Sequence, residues 1–221
     1  SGSRLGLAVA APGLHHLSAM SFKQQMVVDC RAHLLGRLSS IIAKELLNGQ
    51  QVVLLRCEDM NISGSLHRNQ VKWAQFLRLR SNTNPTRGSV VHQKSPSRIV
   101  ARVVRGMIPH KTPRGANAMN HLKVFEGCPH PYGKVKKVVI PSALTNLRLK
   151  PDRNVCRLGD LSHKIGWKYN DLINRLEAKR TVAGKAFHNT KKELAKQRTA
   201  AVEEANKTLT ETNAALAELG Y

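Results

Sequence analysis

The feature that most constrains this chain is an apolar pattern that changes period twice between Gln24 and Cys57. Gln24 to Cys30 (QQMVVDC) reads as a short strand. After Arg31-Ala32-His33, the residues Leu35, Leu38, Ile42 and Leu46 recur with the 3.6-residue spacing of an amphipathic helix, and Asn48-Gly49 closes it as a C-cap would. Gln51 to Cys57 (QVVLLRC) is then a near-continuous apolar run, the signature of a strand buried on both faces of a parallel sheet. Strand, helix and strand in that order make a right-handed βαβ unit, so an α/β class is expected.

Further along, Ser65 is a candidate N-cap for a helix over Leu66 to Arg80, with Val71, Ala74 and Leu77 beside Trp73 and Phe76 as its inward face. Ser81 to Ser97 is a Pro/Gly/Asn/Ser-rich connection of a length that marks a functional or disordered loop. Arg98 to Arg105 (RIVARVVR) is predicted helical, with Ile99, Val103 and Val100 inward and the arginines outward. A short helix is predicted over Gly115 to Leu122, with brief strands at Lys123 to Phe125 and Lys136 to Ile140. Asn154 to Leu158 either pairs with the last of these or flanks the next helix. Asp160 to Ile165 and Tyr169 to Lys179 read as successive helices joined at Gly166-Trp167. Beyond Thr181 the composition turns to Ala, Lys, Glu, Thr and Asn. The expected division is therefore an extended or disordered segment 1–22, a domain 23–180, and a helical tail 181–221 with an apolar stripe at Val202, Leu209 and Leu216, near Ala205 and Leu219.

Charge decides the class of partner. The chain holds 36 Lys+Arg against 14 Asp+Glu, a formal charge of +22, and such an excess favours a polyanion. The excess is local: no acid lies between Asp59 and Glu126, while Arg68, Lys72, Arg78, Arg80, Arg87, Lys94, Arg98, Arg102, Arg105, Lys111, Arg114 and Lys123 all do. Like charges held together repel, so a partner supplying anions is expected there, bound with a steep salt dependence through counterion release. Aromatics are 4% of residues, too few for RNA-binding platforms that stack several bases. Gly88, Gly106 and Gly115 would admit close approach of backbone to a ligand, and Pro109 and Pro113 would stiffen the loop beforehand.

Other classes fit less well. Neither the G-x-G-x-x-G nor the G-x-x-x-x-G-K-[ST] spacing occurs at the first strand–helix junction, where only Gly36-Arg37 stands. Asp29, Glu58 and Asp59 lie near strand ends, where α/β enzymes place catalytic carboxylates, but no nucleophile accompanies them and turn or capping roles are favoured. Cys30, Cys57, Cys128 and Cys156 form no C-x-x-C pair, so small buried hydrophobes are expected rather than a zinc site or disulfides; Cys128-Pro129-His130 lacks a second ligand pair. His110 and His121 are expected to face RNA or solvent. No run approaches a membrane span, and the opening residues make a poor signal or transit peptide. No cofactor, metal, membrane or small-molecule substrate is expected. A basic DNA-binding protein and an RNA- or nucleotide-processing enzyme remain the rival readings.

The order of blocks VVDCRAHLLGRLSSIIAKELLNGQQVVLLRCEDMNISG, NTNPTRG, SPSRIVARVVRGMIPHKTPRG, LKVFEGCPHPY and LGDLSHKIGWKY resembles the universal large-subunit ribosomal protein L-thirteen family, closest to its eukaryotic cytosolic form. The resemblance covers about Val27 to Arg180, and Val104 to Pro109 matches the hallmark V-x-G-M-[LI]-P. It implies a three-layer α/β/α domain with a mostly parallel four-stranded sheet that binds large-subunit ribosomal RNA without catalysis. It also implies an RNA surface centred on Gly106, Met107, Ile108 and Pro109 with Arg102, Arg105, His110, Lys111 and Arg114, widened by Arg37 and the Arg68–Arg80 helix. Neighbouring large-subunit proteins, a cytoplasmic ribosome and nucleolar assembly follow from the same resemblance. The residues before Met20 have no counterpart in it, and the tail after Arg180 is less lysine-rich than expected.

Overall fold

A computed structural model describes residues 25–88, 90–209, 212, 214, 216 and 217. The expectation for residues 1–22 lies outside them, as does Leu219. Strand β1 (Met26–Asp29), helix α1 (Leu35–Leu47) and strand β2 (Val52–Leu55) form the expected βαβ unit, with β1 and β2 parallel and Met26 opposite Val52. The rest of the compact unit follows as β3 (Asn61–Ser63), α2 (Leu66–Leu77), α3 (Pro96–Gly106), α4 (Pro113–Asn120), β4 (Leu122–Val124), α5 (Thr145–Arg148), β5 (Val155–Arg157) and α6 (Leu158–Lys164).

Strand β4 joins the far side of β2, also parallel, to give the order β1-β2-β4. The fourth strand expected at Lys136 to Ile140 is reduced to one parallel bridge between Val138 and Val28 on the outer side of β1. Two hydrogen bonds carry it, from Val138 N–H to the Val27 carbonyl and from Asp29 N–H to that of Val138. The ladder stops because Ile140 N–H donates to Nε2 of buried His33 (3.1 Å) and Pro141 has no N–H. That acceptor role puts the His33 proton on Nδ1, which donates to the Arg31 carbonyl (3.0 Å).

Every residue of β2 is buried, and alternation sends its side chains to opposite faces. Val28, Val52 and Leu54 pack with Leu38, Ile42 and Leu46 of α1 and Ile99, Val100 and Val104 of α3. On the other face Val27, Val53 and Leu55 meet Phe125, Cys128 and Tyr132. That layer is a loop where a helix was expected. Strands of four residues or fewer present only three apolar side chains there, and one tilted ring pair, Phe125 with Tyr132 (5.5 Å), suffices to cover them.

A separate antiparallel pair, β3 with β5, sets Asn61 opposite Arg157. Residues 154–158 thus pair with β3 rather than with the Lys136–Ile140 segment, and run directly into α6. Gly166, at φ +105°, ends that helix in the left-handed region. Its N–H bonds the His163 carbonyl and that of buried Trp167 the Ser162 carbonyl.

The second unit starts at Tyr169. Its helix α7 runs from Asn170 to Thr208 without a buried residue, and so crosses residue 180 unbroken, where composition alone suggested a division.

Candidate nucleic-acid interface

Helix α3 organises the basic surface. Its arginines 98, 102 and 105 follow the i, i+4, i+7 rule, so they share one stripe. Ile99, Val100 and Val104 are the buried set and Val103 is half-buried, a rotation from the Ile99/Val103 face expected first. No side chain caps the helix from Ser95. Instead Glu126, just beyond β4, accepts from Ser97 N–H (3.3 Å) and Ser97 Oγ (2.8 Å), a carboxylate on the positive end of the helix dipole. Replacing Glu126 by alanine is expected to cost about 1 kcal/mol, measured as a lower denaturation midpoint; no change would show that the cap is idle.

Arg102 is the best-held of the three. Its guanidinium lies over the Phe76 ring, 4.8 Å from the centroid, and donates to the Val91 carbonyl at 2.6 Å. Phe76 in turn makes edge-on contacts with Trp73 (5.1 Å) and His92 (4.8 Å), and a His92–Leu79 carbonyl contact (3.3 Å) ties down the 81–97 connection. Such stacking and bonding preorganise an arginine, lowering the cost of ordering it on binding.

Helix α2 departs from the sequence reading. Ser65 Oγ caps it at Arg68 N–H as expected, but it ends at Leu77, leaving Arg78 as the C-cap and Arg80 outside. Val71 and Ala74 are exposed; the inward side is Asn69, with Leu66, Trp73, Phe76 and Leu77 half-buried. Asn69 wins that place because its amide donates to the carbonyls of Ser63, Gly64 and Ser65, a polar anchor that apolar periodicity does not register.

The Gly106–Arg114 turn is built on buried Ile108. Thr112 caps α4 by accepting from Gly115 N–H (3.3 Å) and donates to the Pro109 carbonyl (2.7 Å). Gly115 is buried, and a Cβ on it would run into the Pro109 carbonyl. Its smallness therefore serves the turn rather than a ligand, unlike Gly106, where none of the described residues stands near. The signal for this support was present in T-P-R-G, an N-cap residue followed by Pro at N1. Pro109, His110, Lys111 and Arg114 are left exposed, and so is Met107. His121 is not: it is half-buried at the end of α4.

These residues fall into neighbouring groups rather than one patch. Arg98, Arg102 and Arg105 line a recess of about 510 Å³ with Gln93 and Met119. Lys72, Arg102 and Gly106 line a second, between α2 and α3, with Trp73 and Phe76. Met107 and Arg114 share a third with Lys44 of α1, and Arg68 and Lys72 a fourth with Arg153; Lys44 and Arg153 escaped the sequence reading because both lie outside the acid-free stretch. Lys94 sits over Gly166. Arg37, Arg78, Arg80, Arg87 and Lys123 are exposed but line none of these recesses.

The acids near the strand ends of the compact unit serve its scaffold. Asp29 pairs with Arg56 (2.6 Å), and Asp59 and Asp160 with Arg157. Buried Glu58 accepts from Gly127 N–H through both oxygens (3.0 Å). All three carboxylates weighed as catalytic thus hold strand ends and turns. By contrast, none of the twelve cations from Arg68 to Lys123 has an acidic partner among the described residues.

The cysteines are packing groups. Burial first, then a hydrogen bond with Cys30 and the Glu58 and Glu126 carboxylates, hold the Cys57 thiol well above its ordinary range; burial and Asp160 raise that of Cys156. Under native conditions at neutral pH, alkylation is expected at half-buried Cys128 while Cys30, Cys57 and Cys156 stay unmodified, read by peptide mass mapping. Equal labelling of all four would contradict the packing.

A family profile, Ribosomal protein L13, matches residues 23–131. Large ribosomal subunit protein uL13 of Tetrahymena thermophila is 54% identical over 170 residues, 77% of this chain and 85% of that protein. This chain belongs to the ribosomal protein L13 family. An L13 protein is a structural constituent of the large ribosomal subunit and not an enzyme, which agrees with the occupied carboxylates and removes the nucleotide-processing alternative. The profile spans α3, its arginines and the turn to Arg114.

Proposed function

We propose that this L13 protein binds large-subunit ribosomal RNA through the α3 arginine stripe and the Met107–Arg114 turn, locking adjacent RNA helices by neutralising their phosphates. The observation that carries the reading is the absence of acidic partners, among the described residues, for the twelve cations between Asp59 and Glu126. Elsewhere among the described residues only Arg56, Arg157 and Arg180 are ion-paired, so what sets this stretch apart is its density of cations in a sequence without a single acid. An unpaired cluster of this density repels itself, and phosphates would relieve that repulsion while releasing counterions. Arg37, Arg68, Lys72, Arg78, Arg80, Arg87, Lys94 and Lys123 extend the contact area around this centre.

The protein works in cytosolic ribosomes after assembly in the nucleolus. Helix α7 docks on a neighbouring large-subunit protein, a reading supported by its exposed Phe187, Leu194 and Val202.

The test is binding of the full chain to an RNA duplex and to a DNA duplex of equal length, between about 50 and 200 mM salt. Affinity that falls steeply with salt and favours RNA is expected, since A-form geometry and 2′-hydroxyls distinguish the two. Equal affinity for DNA would favour the DNA-binding reading, and flat salt dependence would remove the phosphate mechanism.

A further inference from the structure

We propose that the cleft between α2 and α3 takes in one unpaired nucleobase of the bound RNA, with the adjoining phosphates held by Lys72 and Arg102. This rests on the RNA-binding reading above and adds a ligand that phosphate contacts alone do not require.

The cleft has a volume of about 340 Å³, with walls from Trp73, Phe76, Ile99 and Val103 and a rim carrying Lys72 and Arg102. Two of the chain's few aromatic residues therefore stand about one helical turn apart beside the arginine-bearing helix α3. Scarcity of aromatics excludes a platform for several bases, not a slot for one. Arg102 covers Phe76, so its guanidinium plane is part of the wall, and such planes stack on bases as aromatic rings do.

Gln93 supplies the polar side chain of the cleft. It lines this cleft and the larger recess on the other side of Arg102, it is half-buried, and its amide has no hydrogen-bond partner among the described residues. A carboxamide presents one acceptor and two donors, the complement of a base edge.

Charge selects the occupant. An apolar protein side chain entering here would leave Lys72 and Arg102 desolvated without counter-charge, which is costly. A nucleotide brings a phosphate with its base.

The experiment uses the full chain carrying Trp167→Phe, so that Trp73 is its sole tryptophan. Its probes are two RNA hairpins of equal length, one with a single bulged adenosine and one fully paired. The bulged hairpin is expected to quench Trp73 emission and to bind about tenfold more tightly. Val103→Phe, which fills the cleft, should abolish both effects and leave the salt slope on the paired hairpin unchanged. Gln93→Ala, at a half-buried position outside the helices, should cut the preference severalfold, which keeps the proposal testable if the Val103 variant fails to fold. Equal binding of the two hairpins with one salt slope and no quenching would overturn the base slot while leaving the phosphate reading intact. Salt-independent binding of both would overturn the two together.

Discussion

Replacing Arg98, Arg102 and Arg105 together by alanine is expected to weaken binding of the full chain to large-subunit ribosomal RNA about a thousandfold at low salt. Each lost arginine–phosphate contact is worth about tenfold, or about 1.4 kcal/mol, and the three lie on one helical stripe where a single groove or backbone could meet them all. The slope of log affinity against log salt should shrink by about 3 in the same titration, because three fewer counterions are released. Stability should fall by no more than about 2 kcal/mol, the share of Arg102, which alone of the three has partners among the described residues, the Val91 carbonyl and the Phe76 ring. Unchanged RNA affinity accompanied by a collapsed melting temperature would show that these side chains serve the core.

The second large effect is expected at Gly115. A methyl group there meets the Pro109 carbonyl, which is backbone and cannot swing aside as a side chain would. Gly115→Ala should therefore cost about 3 kcal/mol. It should also break the Thr112 cap, since Gly115 N–H is its donor. The displaced turn carries His110 and Lys111, so RNA affinity should fall although no cation has been removed. A Gly106→Ala control, at a position with open space, is expected to leave stability within about 1 kcal/mol. Equal melting temperatures for Gly115→Ala and the parent chain would refute this view of the turn.

The parts of the molecule that could be read in advance are those where one local pattern decides the outcome. The βαβ unit follows from the run VVLL and the α1 spacing, because burial on both faces admits little else. The α3 stripe follows from R-x-x-x-R-x-x-R on a helix. The elements misread depend on partners far away in sequence. Val138 gains one bridge instead of a strand because His33, over a hundred residues earlier, takes the next N–H. Asn69 displaces Val71 from the core through carbonyls of the preceding turn. The loop that closes the second sheet face needs Phe125 and Tyr132 brought over Val27, which no periodicity announces. For the same reason, charge counting found the cations but not how they divide among recesses, nor the part of Lys44 and Arg153 in them.

The central claim is that the cations of α3 and the following turn are matched by ribosomal RNA. It is tested most directly by placing a photoactivated crosslinking residue at position 102 or 111, assembling the variant into large subunits, and sequencing the adducts. Crosslinks from both positions to defined nucleotides of large-subunit RNA are predicted. Crosslinks confined to protein, or adducts with solvent alone from intact particles, would contradict it.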